Sequence, residues 1–284
     1  MIKTLNRKIV GAALAALLST PALGADKGEI ELAYGEWATE IASVNVVRVV
    51  LEDLGYEVKT SSVSVAAMWQ ALAAGDVDAM VAAWLPTTHQ HYLDQVADEV
   101  VDLGPNLEGT RIGLVVPSYV EIDSIAELNA AAARFDGEII GIDPSAGLMK
   151  KTELAMEAYG IDQLDLVEST GAIMTAVLGD AIEDGDWVVV TGWTPHWKFA
   201  RYDLKYLEDP ENVFGGAERI HTFTRQGLAE EMPEAVAVLD NFHWTPEQMA
   251  ELMVMNQQDK RSDPYDNARR WVEAHPEVVE AWLP

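Results

Sequence analysis

Apolar and polar residues alternate from Gly28 to Tyr34 (Gly-Glu-Ile-Glu-Leu-Ala-Tyr), which predicts a strand. Ile41 to Gly55 carries the spacing of an amphipathic helix that stops at a glycine. Tyr56 to Val63 predicts a second strand, Ala66 to Ala74 a second helix, and Ala79 to Ala83 a short buried strand stopping at Trp84-Leu85-Pro86. Strands alternating with helices in this order predict a parallel sheet covered by helices.

The order then recurs. Gly137-Glu138-Ile139 repeats Gly28-Glu29-Ile30, and Trp193 follows Trp84 at the same displacement. Between them the pattern predicts a helix from Leu148 to Tyr159, a strand from Leu164 to Val167 and a helix around Ala172 to Leu178. A strand from Trp187 to Val190 then runs into Trp193-Thr194-Pro195-His196-Trp197. The expected fold class is α/β, two lobes in a clam-shell, each a mainly parallel sheet flanked by helices. Each lobe presents a Trp-x-Pro loop at the C-terminal end of a strand, where open α/β sheets bind ligands. Ile112–Pro117 and the segment Ile220 to Gly227 are the candidate crossings. The expected division is residues 26–118 with 225–284 in one lobe and 119–224 in the other. Residues 228–284 read as helical and are expected to pack on the first lobe, with Trp244, Trp271 and Trp282 as packing residues.

Ahead of this pattern Lys3, Arg7 and Lys8 precede an apolar run from Ile9 to Leu18 and a small-residue stretch ending at Ala25. This predicts a secretory signal peptide over residues 1–25, cut after Gly24 or Ala25. No later stretch reaches about 18 uninterrupted apolar residues, so the mature chain is expected to be soluble in a periplasm. A lipid anchor would need a cysteine, and the sequence has none. Disulfides, thiolate metal sites and cysteine nucleophiles are excluded with it.

Charge narrows the partners. With 19 basic and 47 acidic residues and a net charge of −28, the chain lacks the basic face that nucleic acid demands. Such acidity suits a well-solvated surface, and salt screens it within about 10 Å at 0.1 M. There is no phosphate-cradling Gly-Lys-Ser/Thr loop, no His-Glu-x-x-His and no nucleophile elbow, so catalysis is not expected, although a periplasmic hydrolase stays open as the rival class. His89 and His91 have a metal-like spacing without a third or fourth ligand, so neither metal nor cofactor is expected.

The chemistry-bearing positions are therefore tryptophans. Trp37, Trp84 and Trp193 follow predicted strands, an odd place for packing residues, and are candidate ligand contacts. Trp69 falls inside a helix and is expected in the core. Trp197 could rim the cleft or pack beneath it, and His196 could touch ligand or cap its loop.

Tyr34-Gly35-Glu36-Trp37, Ala83 to His89 (Ala-Trp-Leu-Pro-Thr-Thr-His), Gly141 to Gly147 (Gly-Ile-Asp-Pro-Ser-Ala-Gly) and Thr191 to Trp197 (Thr-Gly-Trp-Thr-Pro-His-Trp) carry a resemblance over nearly the whole mature chain. The sequence resembles the glycine betaine binding proteins of the OpuA type of osmolyte importer. That resemblance implies a monomeric binding protein serving an ABC permease and its ATPase. It implies that Trp37, Trp84 and Trp193 enclose a quaternary ammonium group, while His89 and the backbone amides of Gly147 and Leu148 hold a carboxylate. Isoleucine is also found at the Leu148 position in the family, a change that a backbone contact survives. The physics agrees: a trimethylammonium group cannot donate hydrogen bonds, and ring quadrupoles attract it by about 2 kcal/mol each when desolvated. Choline, carnitine, proline betaine and dimethylsulfoniopropionate offer related onium centres and stay open as ligands. A sensor subunit presenting the same ligand stays open as a role.

Overall fold

The structure is a computed structural model that describes residues 27–259 and 261–284; the expected signal sequence lies outside the described residues. The first half runs β1 (Glu29–Tyr34), α1 (Ala38–Asp53), β2 (Glu57–Ser62), α2 (Val65–Ala74), β3 (Ala79–Leu85), α3 (Gln90–Val96). A long strand, β4 (Val100–Pro117), leads through α4 (Leu128–Ala131) to the second half: β5 (Glu138–Ile140), α5 (Gly147–Ala158), β6 (Asp165–Val167), α6 (Gly171–Asp184), β7 (Val190–Thr194), α7 (Lys198–Arg201), β8 (Leu204–Tyr206). The chain returns through β9 (Glu218–Arg225) to α8 (Leu228–Glu231), α9 (Pro233–Asn241), α10 (Pro246–Gln258), α11 (Pro264–Ala274) and α12 (Pro276–Glu280).

The repeat read in the sequence reappears as topology. One half-sheet has the order β2-β1-β3-β9-β4 and the other β6-β5-β7-β4-β8, each with three parallel strands followed by two antiparallel ones. The helix before the third strand is delimited alike in both. Ser64 caps α2 and Thr170 caps α6 through their hydroxyls, and left-handed Gly75 (φ +78°) and Gly185 (φ +76°) end them.

Strand β4 belongs to both half-sheets. It pairs with β9 as far as Thr110 and with β7 from Arg111 onward. The sequence predicts only its last third, because Gly104, Pro105 and Gly109 read as strand breakers. The structure absorbs them as register shifts against β9, with Gly104 at φ +99° and Gly109 at φ +79°. The strand carrying Trp193 also starts later than predicted. Trp187 packs under the Arg134 guanidinium, 3.5 Å from its ring centroid, and against Phe135 instead of joining the sheet.

Helix α1 is buried on most of its circumference and not on one stripe, unlike the amphipathic expectation. Val44, Val46, Val47, Val49, Val50 and Leu51 are all buried. The reason is its second neighbour: α9, α10 and α11 cover the face that the sheet leaves. Four of the five C-terminal helices open with proline in the first turn, where its missing N–H costs nothing. Trp244, Trp271 and Trp282 are buried among them, Trp271 edge-on to Trp244 and stacked on Trp282, as expected of packing residues. Trp69 is likewise in the core, against Phe223.

Candidate functional site

Trp37, Trp84, His89, Gly147, Leu148 and Trp193 line one cavity, with ≈ 350 Å³ of space not filled by protein atoms. Trp37 is the residue before α1, where its carbonyl accepts from the Ile41 amide at 2.9 Å. Trp84 is the penultimate residue of β3 and Trp193 lies in β7, opposite Ile112 of β4; these two are only 5% exposed, whereas Trp37 is half-buried. The peptide bond before the proline is cis in both Trp-x-Pro loops.

The loop after β3 closes on itself. The His89 amide donates to Trp84 O at 2.8 Å, and the Trp84 amide donates to His89 Nδ1 at 3.1 Å. An Nδ1 that accepts leaves the proton of the neutral imidazole on Nε2. Burial, with a smaller contribution from His91, pushes the pKa of His89 down to about 3. His89 is therefore a neutral donor at physiological pH.

Helix α5 offers an anion its first turn. Ala146 supplies no side-chain cap, and the Met149 and Lys150 amides turn back to Ala146 O. Among the described residues the amides of Gly147 and Leu148 have no hydrogen-bond partner, and they open a helix whose dipole favours negative charge. Gly147 lies so close to Thr88 that a Cβ there would collide with the Thr88 carbonyl. Tyr92 Oη donates to Ser145 O at 2.7 Å across the same boundary. The two halves are thus closed on one another.

Five further cavity residues escaped the sequence reading: Thr39, Thr88, Ile112, Ile142 and Ala146. Three of them, Thr88, Ile142 and Ala146, sit inside the motifs already singled out. Glu218 is also new. Buried at the start of β9, it accepts from the amides of Thr87 (2.8 Å) and Thr88 (2.7 Å) and from Thr88 Oγ1 (2.5 Å), which fixes the loop that carries His89. On the other side, the Glu40 carboxyl accepts from the Gly35 amide within the turn that sets Trp37. Burial raises its pKa to about 8. His196 lies edge-on to Trp193 at 4.7 Å, and its Nδ1 accepts from the Lys198 amide at 3.1 Å. His196 and Trp197 line an adjoining cleft together with Trp37 and Trp193, outside the cavity itself.

Three aromatic walls that cannot hydrogen-bond to a cation, facing a neutral donor and two free amides, are suited to a small molecule with an onium group and an anion. Residues 28–274 match the family described as the substrate binding domain of the ABC-type glycine betaine transport system. The chain belongs to that family. It is 40% identical to a glycine betaine and L-proline binding protein, ProX, from Borrelia burgdorferi (TM-score 0.88, covering 90% of this chain and 97% of that one). Lactococcal OpuAC in its closed form with glycine betaine is also 40% identical (TM-score 0.86, covering 90% and 100%). Members of the family share the two-lobed α/β fold found here. The glycine betaine/carnitine transport binding protein GbuC of Listeria monocytogenes is 46% identical over 146 residues, a match spanning 51% of this chain and 48% of that protein. Among the described residues no helix is long and apolar enough to cross a membrane.

Proposed function

We propose that this chain is a periplasmic substrate-binding protein that captures glycine betaine and delivers it to an ABC permease with its ATPase. The observation that carries the reading is the convergence of all six candidate residues on one cavity. Trp37, Trp84 and Trp193 enclose the trimethylammonium group. His89 Nε2–H and the amides of Gly147 and Leu148 grip the carboxylate. Three rings supply on the order of 6 kcal/mol gross, and a micromolar complex needs about 8 kcal/mol, so the anion grip must provide the rest. The two lobes, residues 26–118 with 225–284 and residues 119–224, act as a monomeric clam-shell whose crossings lie in β4 and in β9. The proposed contacts are three rings, one imidazole and two backbone amides, and betaine is expected to be recovered unchanged after binding. Carnitine is the second reading, favoured by the name of the Listeria relative.

Calorimetric titration with glycine betaine, proline betaine, carnitine, choline and dimethylsulfoniopropionate tests this. Glycine betaine binds tightest, and Ala at Trp37, Trp84 or Trp193 each weakens it by about 1 to 3 kcal/mol, with Phe or Tyr less harmful. Undiminished affinity in all three Ala variants would refute the cage.

A further inference from the structure

Beside Trp193 there is a buried cation. Lys198 opens α7 and is 0% exposed. Its Nζ stands 5.0 Å from the Trp193 ring centroid and 5.8 Å from that of Phe199. It donates to Thr191 O at 3.0 Å and lies 4.0 Å from Met174 Sδ. Trp193 lines the cavity and Lys198 does not, so the ammonium lies within cation–π reach of the ring without opening onto the cavity itself. Among the described residues no carboxylate pairs with it. The ionisable side chain that touches its surroundings is His196, which burial keeps neutral. On the packed elements, Asp180, Glu183 and Asp184 of α6 and Arg201 of α7 are exposed, and Tyr206 of β8 is reached only through Phe199.

We propose that Lys198 is a specificity-determining residue: an unpaired buried charge beside the cage that penalises ligands of net positive charge and selects zwitterions. The proposal rests on the reading that an onium group sits among Trp37, Trp84 and Trp193. An onium group and an ammonium that each lie about 5 Å from one indole centroid stand at most roughly 10 Å apart and compete for one quadrupole. At an effective dielectric of about 20 their repulsion weakens binding by about tenfold. A zwitterion escapes most of this, because its carboxylate lies a few ångströms beyond its cation and is attracted. Choline has the same trimethylammonium group and no carboxylate, so it bears the whole penalty. Burial brings the Lys198 pKa down to about 7, so the charge can be removed by pH as well as by mutation.

The experiment compares dissociation constants of choline and glycine betaine for wild type, Lys198→Met and Glu40→Gln at about pH 5.5 and about pH 8.5, a range in which neither ligand titrates. Methionine is unbranched like lysine and one atom shorter, and apolar replacement of buried charged groups is commonly tolerated. Glu40→Gln removes the other buried group that titrates in this range, on the Trp37 side. The choline-to-betaine ratio of dissociation constants is expected to fall about tenfold from low to high pH in wild type and in Glu40→Gln. In Lys198→Met it is low at both pH values. A ratio that stays constant in wild type, or a fall that persists in Lys198→Met and vanishes in Glu40→Gln, overturns the proposal. Should Lys198→Met fail to fold, the wild-type and Glu40→Gln series decide alone: a fall in both supports it, and constancy in either overturns it. Trp193→Ala separates the two readings. If that variant keeps wild-type betaine affinity, Trp193 is no wall of the cage and the premise of the proposal fails; if it loses tenfold or more while the ratio never moves, Lys198 fails and the cage stands.

Discussion

His89 can serve as a donor because the Trp84 amide occupies its other ring nitrogen. His89→Ala removes one hydrogen bond to a charged acceptor, about 1.5 to 3 kcal/mol, and should weaken glycine betaine by roughly ten- to a hundredfold while choline loses much less. Equal losses for both ligands in a titration would mean that His89 supports the loop and does not read the carboxylate. With its pKa at about 3, His89 stays neutral between about pH 5 and 8, so wild-type betaine affinity should be nearly flat there. An imidazolium grip would instead tighten as pH falls through about 6.5. The fold feels the same group: its stabilising neutral form is fully present above about 6.5, and that contribution is lost as pH falls toward about 3. The three tryptophans were legible from their places after strands, and His89 from its motif. Glu218 was not, because one buried carboxylate among 47 acidic residues has no mark in the sequence. Lys198 follows the singled-out Trp197 directly, yet nothing in a linear pattern shows that its side chain turns inward.

Between elements, the start of α5 packs tightly on the loop before α3. Gly147 is demanded there by proximity and not by backbone angle, since a Cβ would meet the Thr88 carbonyl. Gly147→Ala is harmless to an isolated helix but obstructs the seating of α5 against that loop. Binding should weaken by at least about tenfold, with the ligand-free melting temperature little changed; calorimetry and a thermal melt measure the two. A large drop in melting temperature would show that the contact supports the fold itself. The β-α order and the repeat were readable because periods of two and of three to four residues alternate cleanly. The reach of β4 was not, since bulges at Gly104 and Gly109 look like interruptions until the partner strand β9 is present to accommodate them. The all-round burial of α1 was hidden for a related reason: its second cover comes from helices some 200 residues further along the chain.

For the whole molecule, the six candidate residues around the cavity are divided: Trp37, Trp84 and His89 come from the first half, Trp193, Gly147 and Leu148 from the second. Neither part completes a site, so ligand should shift the population toward the closed form. Solution scattering should give a smaller radius of gyration with saturating glycine betaine, and superimposable curves with and without it would contradict this. The sharing of strands has another consequence, in the order of assembly. The sheet edge at β3 waits for β9, and α1 waits for α10 and α11, whereas β5, β6, β7 and β8 need only the end of β4. A chain that emerges amino end first can finish its second half-sheet while the first still exposes the valines of α1. The part of the molecule made earliest is thus the last to be buried, and an export or folding apparatus has the longest opportunity to hold it unfolded.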